Sequence, residues 1–183
     1  ESLILAGAGV HVARSLASQI FVRMRQLPYD LAVYDDVLPA LDMLKMRGLT
    51  LGLISNLRGD IDGLCQRLRL TPPLDFVVTS EKVGAEKPHA PIFLAALEKA
   101  DVAPEEAIHV GDQYQSDIVG ARAVGIRPLL LDRDGLLTDI TDCTKISSLI
   151  IGLSAISCMN NKKICIDSIN QIQIYLFLFF KLI

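Results

Sequence analysis

Three short polar segments carry side chains that could hold a phosphate group and a divalent cation. The first is Ser55-Asn56, which follows the apolar run 49–54. The Ser55 hydroxyl and the N–H groups after it could bind a phosphate oxygen, helped by the positive end of the next helix. The same residue types are also common as ordinary helix caps, so both interpretations stay open for this segment alone.

The second segment is Glu86-Lys87-Pro88, which follows Gly84 and precedes Pro91. Two prolines restrict the direction of the chain around the lysine. A fixed Lys87 ammonium could offset the charge of a phosphate group and of a nucleophile. The alternative is a solvated surface lysine.

The third segment is Val110-Gly111-Asp112, followed by Asp117. Two carboxylates that converge at the end of a strand suit Mg²⁺, which prefers oxygen ligands and keeps several waters. Without a cation the two like charges repel each other. The alternative places Asp112 in a turn and makes Asp117 a first-turn helix acid.

Apolar periodicity predicts the elements that would position these residues. Helices are expected over residues 11–26, 37–47, 60–70, 91–100 and 114–124, and strands over 49–54, 76–79, 107–110 and 128–131. Strands and helices that alternate in this way predict an α/β fold with a Rossmann-like parallel sheet covered by helices. Ligands bind such folds beyond the carboxyl ends of the strands, where the three polar segments lie.

Taken together and in this order, the segments resemble the second, third and fourth motifs of the haloacid-dehalogenase-like hydrolase superfamily. The motifs are Ile54-Ser55-Asn56, Glu86-Lys87-Pro88 and the G-D-x-x-x-x-D form of 111–117, within a resemblance that covers about 34–135. The resemblance implies a phosphatase that acts on a small phosphate ester through an aspartyl-phosphate. It gives catalytic roles to Ser55 and Lys87, phosphate binding to Ser55, Asn56 and Lys87, and Mg²⁺ binding to Asp112 and Asp117.

The first motif of that superfamily, a strand ending in Asp-x-Asp, is not found upstream of Ser55. Its first aspartate attacks phosphorus and its second is the general acid and base. We expect it to lie before Glu1, so that this chain hydrolyses little by itself. Asp132-Arg133-Asp134-Gly135 imitates the motif, but it follows the strand that the fold needs after the fourth motif. A non-catalytic binding protein and a metal-independent haloacid dehalogenase are the alternative functions.

Three regions are expected along the chain. Residues 1–33 would be the end of a helical cap with its linker, residues 34–137 the α/β core, and residues 138–183 an atypical apolar tail. The tail could be a non-native extension, an extra helix and strand packed on the domain, or a weak membrane-associating segment. If the first-motif strand is missing, 164–169 or 172–179 could fill its place between two half-sheets.

Composition narrows the possible partners. The chain has 183 residues, of which 51% are hydrophobic and 21% charged, and its net charge is -3. This amount of apolar material supports a folded core. The sequence contains no basic stripe of the kind that binds nucleic acid, so nucleic acid is not the expected partner. The apolar stretches are shorter than the length that a membrane helix needs. The expected partner is a small phosphorylated metabolite, and a cytoplasmic location is the default because no signal peptide is visible.

Overall fold

The computed structural model describes residues 32–57 and 59–152, together with positions 15, 16, 18, 19 and 22. The chain divides into two compact units, Glu1–Leu31 and Ala32–Ile183. In the first unit the five described positions are helical and lie within the helix predicted for residues 11–26. The rest of that helix lies outside the described residues, and its assignment to a cap stays a prediction.

The second unit contains two parallel sheets, and the first has two strands. Strand β1, Gly52–Ser55, pairs in parallel with strand β2, Phe76–Thr79, so that Ser55 lies opposite Thr79. All four residues of β1 are buried. A Cβ on Gly52 would lie 2.2 Å from the ring of Phe76, so this close packing requires glycine.

The second sheet has the order β3-β4-β5, and both of its strand pairs are parallel. Its strands are Ile108–Gly111 (β3), Arg127–Leu131 (β4) and Thr144–Ile146 (β5). The strand β5 lies in the region that the sequence assigned to the tail. Leu149, just beyond it, is fully buried. The start of the tail therefore packs on the second sheet among the described residues. The boundary at residue 137 stays a prediction, and the predictions for 153–183 lie outside the described residues.

Helices connect and cover the strands in the predicted order, with one short additional helix, Ser80–Val83, that the sequence did not predict. They are α1 (Val37–Met46), α2 (Ile61–Arg67), α3 (Ser80–Val83), α4 (Ala90–Ala100) and α5 (Gly120–Ala123). Pro91 lies in the first turn of α4, where its missing N–H costs no hydrogen bond. The single helix predicted for 114–124 is wrong in detail, because a π-helix, Tyr114–Val119, precedes α5. Such wide turns are frequent at functional sites.

The α/β class predicted from the sequence is confirmed, with parallel strands flanked by helices. Among the described residues, however, no backbone ladder joins β1 to β3. The segments 164–169 and 172–179, which the sequence offered as a filling strand, lie outside those residues. Within the described part of the chain, no helix has the length and apolar character needed to cross a membrane.

Candidate active site

Ser55 ends β1 and is fully buried at the carboxyl end of the first sheet. Its Oγ accepts a hydrogen bond of 3.0 Å from the N–H of Leu57. This bond fixes the turn that leaves the strand. A serine hydroxyl can accept two bonds and donate one, so the O–H hydrogen of Ser55 can still be directed to a ligand.

The side chain of Asn56 binds the main chain of Lys87. Asn56 Oδ1 accepts the Lys87 N–H at 2.9 Å, and Asn56 Nδ2 donates to the Lys87 carbonyl oxygen at 3.3 Å. Both ends of the amide are therefore occupied by one residue that lies 31 positions further along the chain. The phosphate contact predicted for Asn56 is left to its backbone N–H.

Lys87 and Asp117 form a buried ion pair. Lys87 Nζ lies 2.7 Å from Asp117 Oδ1, and both side chains have 0% exposure. Asp117 Oδ2 accepts the N–H of Gln113 at 2.9 Å. Burial by itself raises the pKa of Asp117, but Lys87 and His109 outweigh it and hold that pKa well below its usual range. Asp117 is thus an ionised counter-ion, and Lys87 is not a solvated surface lysine.

Gly111 makes this arrangement possible. A Cβ at Gly111 would lie 2.2 Å from the Cβ of Asp117 and 2.5 Å from its Oδ2. Any larger residue would push the carboxylate away from Lys87. The glycine in the G-D-x-x-x-x-D pattern therefore has a steric reason in this fold.

Asp112 follows β3 at the carboxyl end of the second sheet and is half-buried. Burial and the charge of Asp117 raise the pKa of Asp112 to about 6, against smaller opposing effects of Lys87 and Arg133. An ionised Asp112 is therefore poorly solvated, and a cation beside it would stabilise the charged form.

The donor set fits Mg²⁺ at Asp112 better than at Asp117. Carboxylate oxygen is a ligand that Mg²⁺ favours, and one or two carboxylates with waters and substrate oxygens are sufficient. The oxygens of Asp117 already contact Lys87 and the Gln113 N–H. The described residues contain no group of three or more His, Cys, Asp or Glu side chains placed to hold a metal. If Asp117 binds the metal, as the sequence predicted, its carboxylate would do so while it also pairs with Lys87.

His109 lies beside the ion pair, and sequence reasoning missed it. Its Nε2 is 3.5 Å from Asp117 Oδ1, and its ring packs edge-on against Phe93 with centroids 5.5 Å apart. Burial lowers the pKa of His109 to about 4 although Asp117 opposes the shift, so the imidazole is neutral at pH 7. One signal existed in the sequence: strand alternation places His109 on the same face of β3 as Gly111, against which Asp117 packs.

The segment 132–134, which has the Asp-x-Asp form of the missing motif, stabilises the loop that follows β4. The two Asp132 oxygens accept the N–H groups of Leu136 at 2.9 Å and Leu137 at 3.2 Å. The next residue, Arg133, pairs through Nη1 with Asp36 Oδ1 at 2.9 Å. This role in the loop agrees with the expectation that Asp132 is not the nucleophile.

Hydrogen bonds and charge connect the predicted site residues. Asn56, after β1, is hydrogen-bonded to the backbone of Lys87, and the Lys87 ammonium pairs with Asp117, which lies beyond β3. Two surface cavities of about 330 and 290 Å³ are lined by other residues, at 97–106 and 80–86. The structure therefore brings Lys87, Asp112 and Asp117 together electrostatically, with Ser55 beside the Asn56 connection.

Comparison with known proteins identifies the family. The model of the haloacid dehalogenase-like hydrolases matches residues 14–131, which is more than half of the chain. The chain belongs to this hydrolase family. It is 37% identical over 118 residues to haloacid dehalogenase-like hydrolase domain-containing protein 3 of Xenopus laevis, covering 64% of this chain and 48% of that protein. It is 36% identical over 138 residues to phosphoserine phosphatase of Thermus thermophilus, covering 73% of this chain and 52% of that protein.

Solved structures of this hydrolase family have the same fold. The crystal structure of a HAD phosphatase from Thermococcus onnurineus matches with a TM-score of 0.63 and 30% identity, covering 72% of this chain and 60% of that one. The chain spans about half the length of the curated relatives it matches.

Proposed function

We propose that the protein to which these residues belong is a Mg²⁺-dependent phosphatase that acts on a small phosphorylated metabolite. The observation that carries the proposal is the buried Lys87–Asp117 pair beside the half-buried Asp112. A fixed ammonium and a poorly solvated carboxylate at the carboxyl ends of parallel strands suit a phosphate group and its cation. The similarity to a phosphoserine phosphatase supports the same reaction class.

Each residue has a proposed role in this reaction. Asp112 would hold Mg²⁺, which neutralises charge on the phosphate oxygens when it is bound. Lys87 would offset the charge of phosphate and nucleophile, and Asp117 would hold the Lys87 ammonium in place at 2.7 Å. The Ser55 O–H and the backbone N–H groups after it would donate hydrogen bonds to the phosphate.

The nucleophile is proposed by resemblance to the family. An aspartate carboxylate would attack phosphorus, the ester oxygen would leave with a proton from the general acid, and water would then hydrolyse the aspartyl-phosphate. No Asp-x-Asp pair precedes Ser55 in the sequence. Residues 1–183 by themselves are therefore proposed to be inactive.

Hydrolysis of p-nitrophenyl phosphate tests the proposal. A protein that includes an Asp-x-Asp strand upstream of Glu1 should turn over the ester with Mg²⁺, and residues 1–183 alone should be slower by a factor on the order of 10³ or more. Asp112→Asn should abolish the response to Mg²⁺, whereas Lys45→Met at an exposed pair is the matched control. Strong turnover by residues 1–183 that is lost in Asp132→Ala would show that the nucleophile is misassigned.

A non-catalytic relative that binds a metabolite is the second candidate. Coding sequence upstream of Glu1 separates the two, because an apolar strand ending in Asp-x-Asp there supports the enzyme. A metal-independent dehalogenase is disfavoured by the two acids, Asp112 and Asp117, and turnover of a haloacid without Mg²⁺ would reverse that judgement. The cytoplasmic location stays a prediction.

A further inference from the structure

We infer that Asn56 is a positioning residue that holds the backbone of Lys87 so that the ammonium reaches Asp117. This inference rests on the proposed function for its catalytic meaning. It adds a role for the Asn56 side chain to the phosphate binding that the sequence predicted for Asn56. The evidence is the double hydrogen bond between one side-chain amide and one backbone residue.

The geometry of that double bond fixes both position and orientation. The Lys87 N–H points at Asn56 Oδ1 from 2.9 Å, and the Lys87 carbonyl accepts from Asn56 Nδ2 at 3.3 Å. Two bonds between the same pair of residues restrain rotation as well as distance, much as the paired bonds of a β-ladder do. Lys87 itself lies in the loop between α3 and α4, outside both sheets, so its backbone is not placed by a ladder.

Restraint of the backbone matters because the lysine side chain is long. Ordering a lysine side chain costs conformational entropy, and that cost falls when both ends are already fixed. Asn56 fixes the backbone end, and Asp117 fixes the ammonium at 2.7 Å. A displacement of about 1 Å in a catalytic group can lower turnover by about 10²-fold.

The position of Asn56 in the fold adds a second reason. Asn56 follows β1 in the first sheet, whereas Asp117 packs on Gly111 at the end of β3 in the second. No backbone ladder joins these two sheets among the residues described. The series Asn56–Lys87–Asp117 therefore connects the two halves of the site.

The variants separate positioning from a general structural role. Asn56→Ala removes both bonds. Asn56→Asp keeps the acceptor for the Lys87 N–H but places an oxygen against the Lys87 carbonyl, and it serves if the alanine variant does not fold. Glu81→Ala is the matched control, because Glu81 on α3 also holds the loop after β1, through a 3.0 Å bond from the Gly59 N–H.

NMR of the Lys87 ammonium in the 183-residue chain gives a readout that needs no catalysis. A buried, paired ammonium exchanges its protons slowly, so its resonance should be visible in the unmodified chain and in Glu81→Ala. It should be lost or broadened in Asn56→Ala and weakened in Asn56→Asp. A sharp Lys87 resonance in folded Asn56→Ala would overturn the inference.

Kinetics of a protein that includes the upstream segment give the catalytic readout. Asn56→Ala should lower kcat by about 10–100-fold with little change in KM, and adding it to Lys87→Met should cost nothing further. A rise in KM at constant kcat would show instead that the amide binds substrate. If no form hydrolyses phosphate esters but the NMR pattern holds, the positioning role stands and the proposed phosphatase fails.

Discussion

Substitution of Lys87 by methionine should destabilise the fold severely. Methionine has a similar length but no charge, so Asp117 would keep its burial without its counter-ion. Unit charges 2.7 Å apart attract by about 6 kcal/mol at an effective dielectric constant of about 20. The desolvation of both groups cancels much of this attraction in the intact pair, but loss of one partner costs about 3–5 kcal/mol.

Urea unfolding at pH 7, followed by circular dichroism, measures the effect. The free energy of unfolding should fall by about 3–5 kcal/mol in Lys87→Met, a large part of the roughly 5–15 kcal/mol of a typical domain. The control is Lys45→Met, which breaks a pair of similar length, 2.8 Å, whose side chains are 36% and 38% exposed. That variant should lose no more than about 1 kcal/mol.

Two further results would refute this reasoning. Equal losses in Lys87→Met and Lys45→Met would mean that the Lys87 pair is solvated. The double variant Lys87→Met with Asp117→Asn should recover part of the stability, because it removes the uncompensated charge. A double variant that is less stable than the sum of both single losses would contradict the ion pair itself.

Three other predictions concern the groups around this pair. Burial and the charge of Asp117 raise the pKa of Asp112 from 3.8 to about 6, so the free energy of unfolding falls as the pH rises from about 4 to 6. Asp112→Asn should therefore raise the urea midpoint of unfolding at pH 7.5 but not at pH 4, and Mg²⁺ should stabilise only the unmodified chain. Burial lowers the pKa of His109 from 6.5 to about 4, so the unfolded chain takes up the proton first and the free energy of unfolding decreases as the pH falls from 6.5 to 4. His109→Gln should reduce the difference between the free energies of unfolding measured at pH 7 and pH 5. Gly111→Ala places a Cβ 2.2 Å from that of Asp117 and should cost about 1–3 kcal/mol in thermal unfolding, and an unchanged midpoint would contradict the close contact.

Much of the fold could be predicted because local pattern and packing agree. Phe76–Thr79 is a strand with the predicted bounds, since a short run of β-branched residues after two prolines has few alternatives. Strand β5 was missed because only Ile146 of its three residues is buried. Its pairing with β4 depends on tertiary contacts that no local pattern reports.

The site was predictable by residue type but not by role. The sequence showed that Ser55, Lys87, Asp112 and Asp117 follow strand ends, and it named the chemistry that such groups share. It could not show that Asp117 pairs with Lys87, because helix α4 and strand β3 lie between them in the sequence and the fold alone brings them together. The sequence predicted only phosphate binding for Asn56, because the partner of its side chain is a backbone group, which no residue type in the sequence indicates.

The division of the described strands into two sheets has a consequence for how the molecule opens. Among those residues no backbone ladder joins the sheet β1-β2 to the sheet β3-β4-β5. Side-chain contacts such as Asn56–Lys87 and Lys87–Asp117 connect them instead. Breakage of the Lys87–Asp117 contact could therefore release one group of strands while the other stays folded, as a separate unit of sub-global unfolding. Amide hydrogen exchange would then proceed at two distinct levels of protection. A phosphate with its cation bound across both groups would raise the lower level, so binding and cooperativity of unfolding would be coupled in this protein.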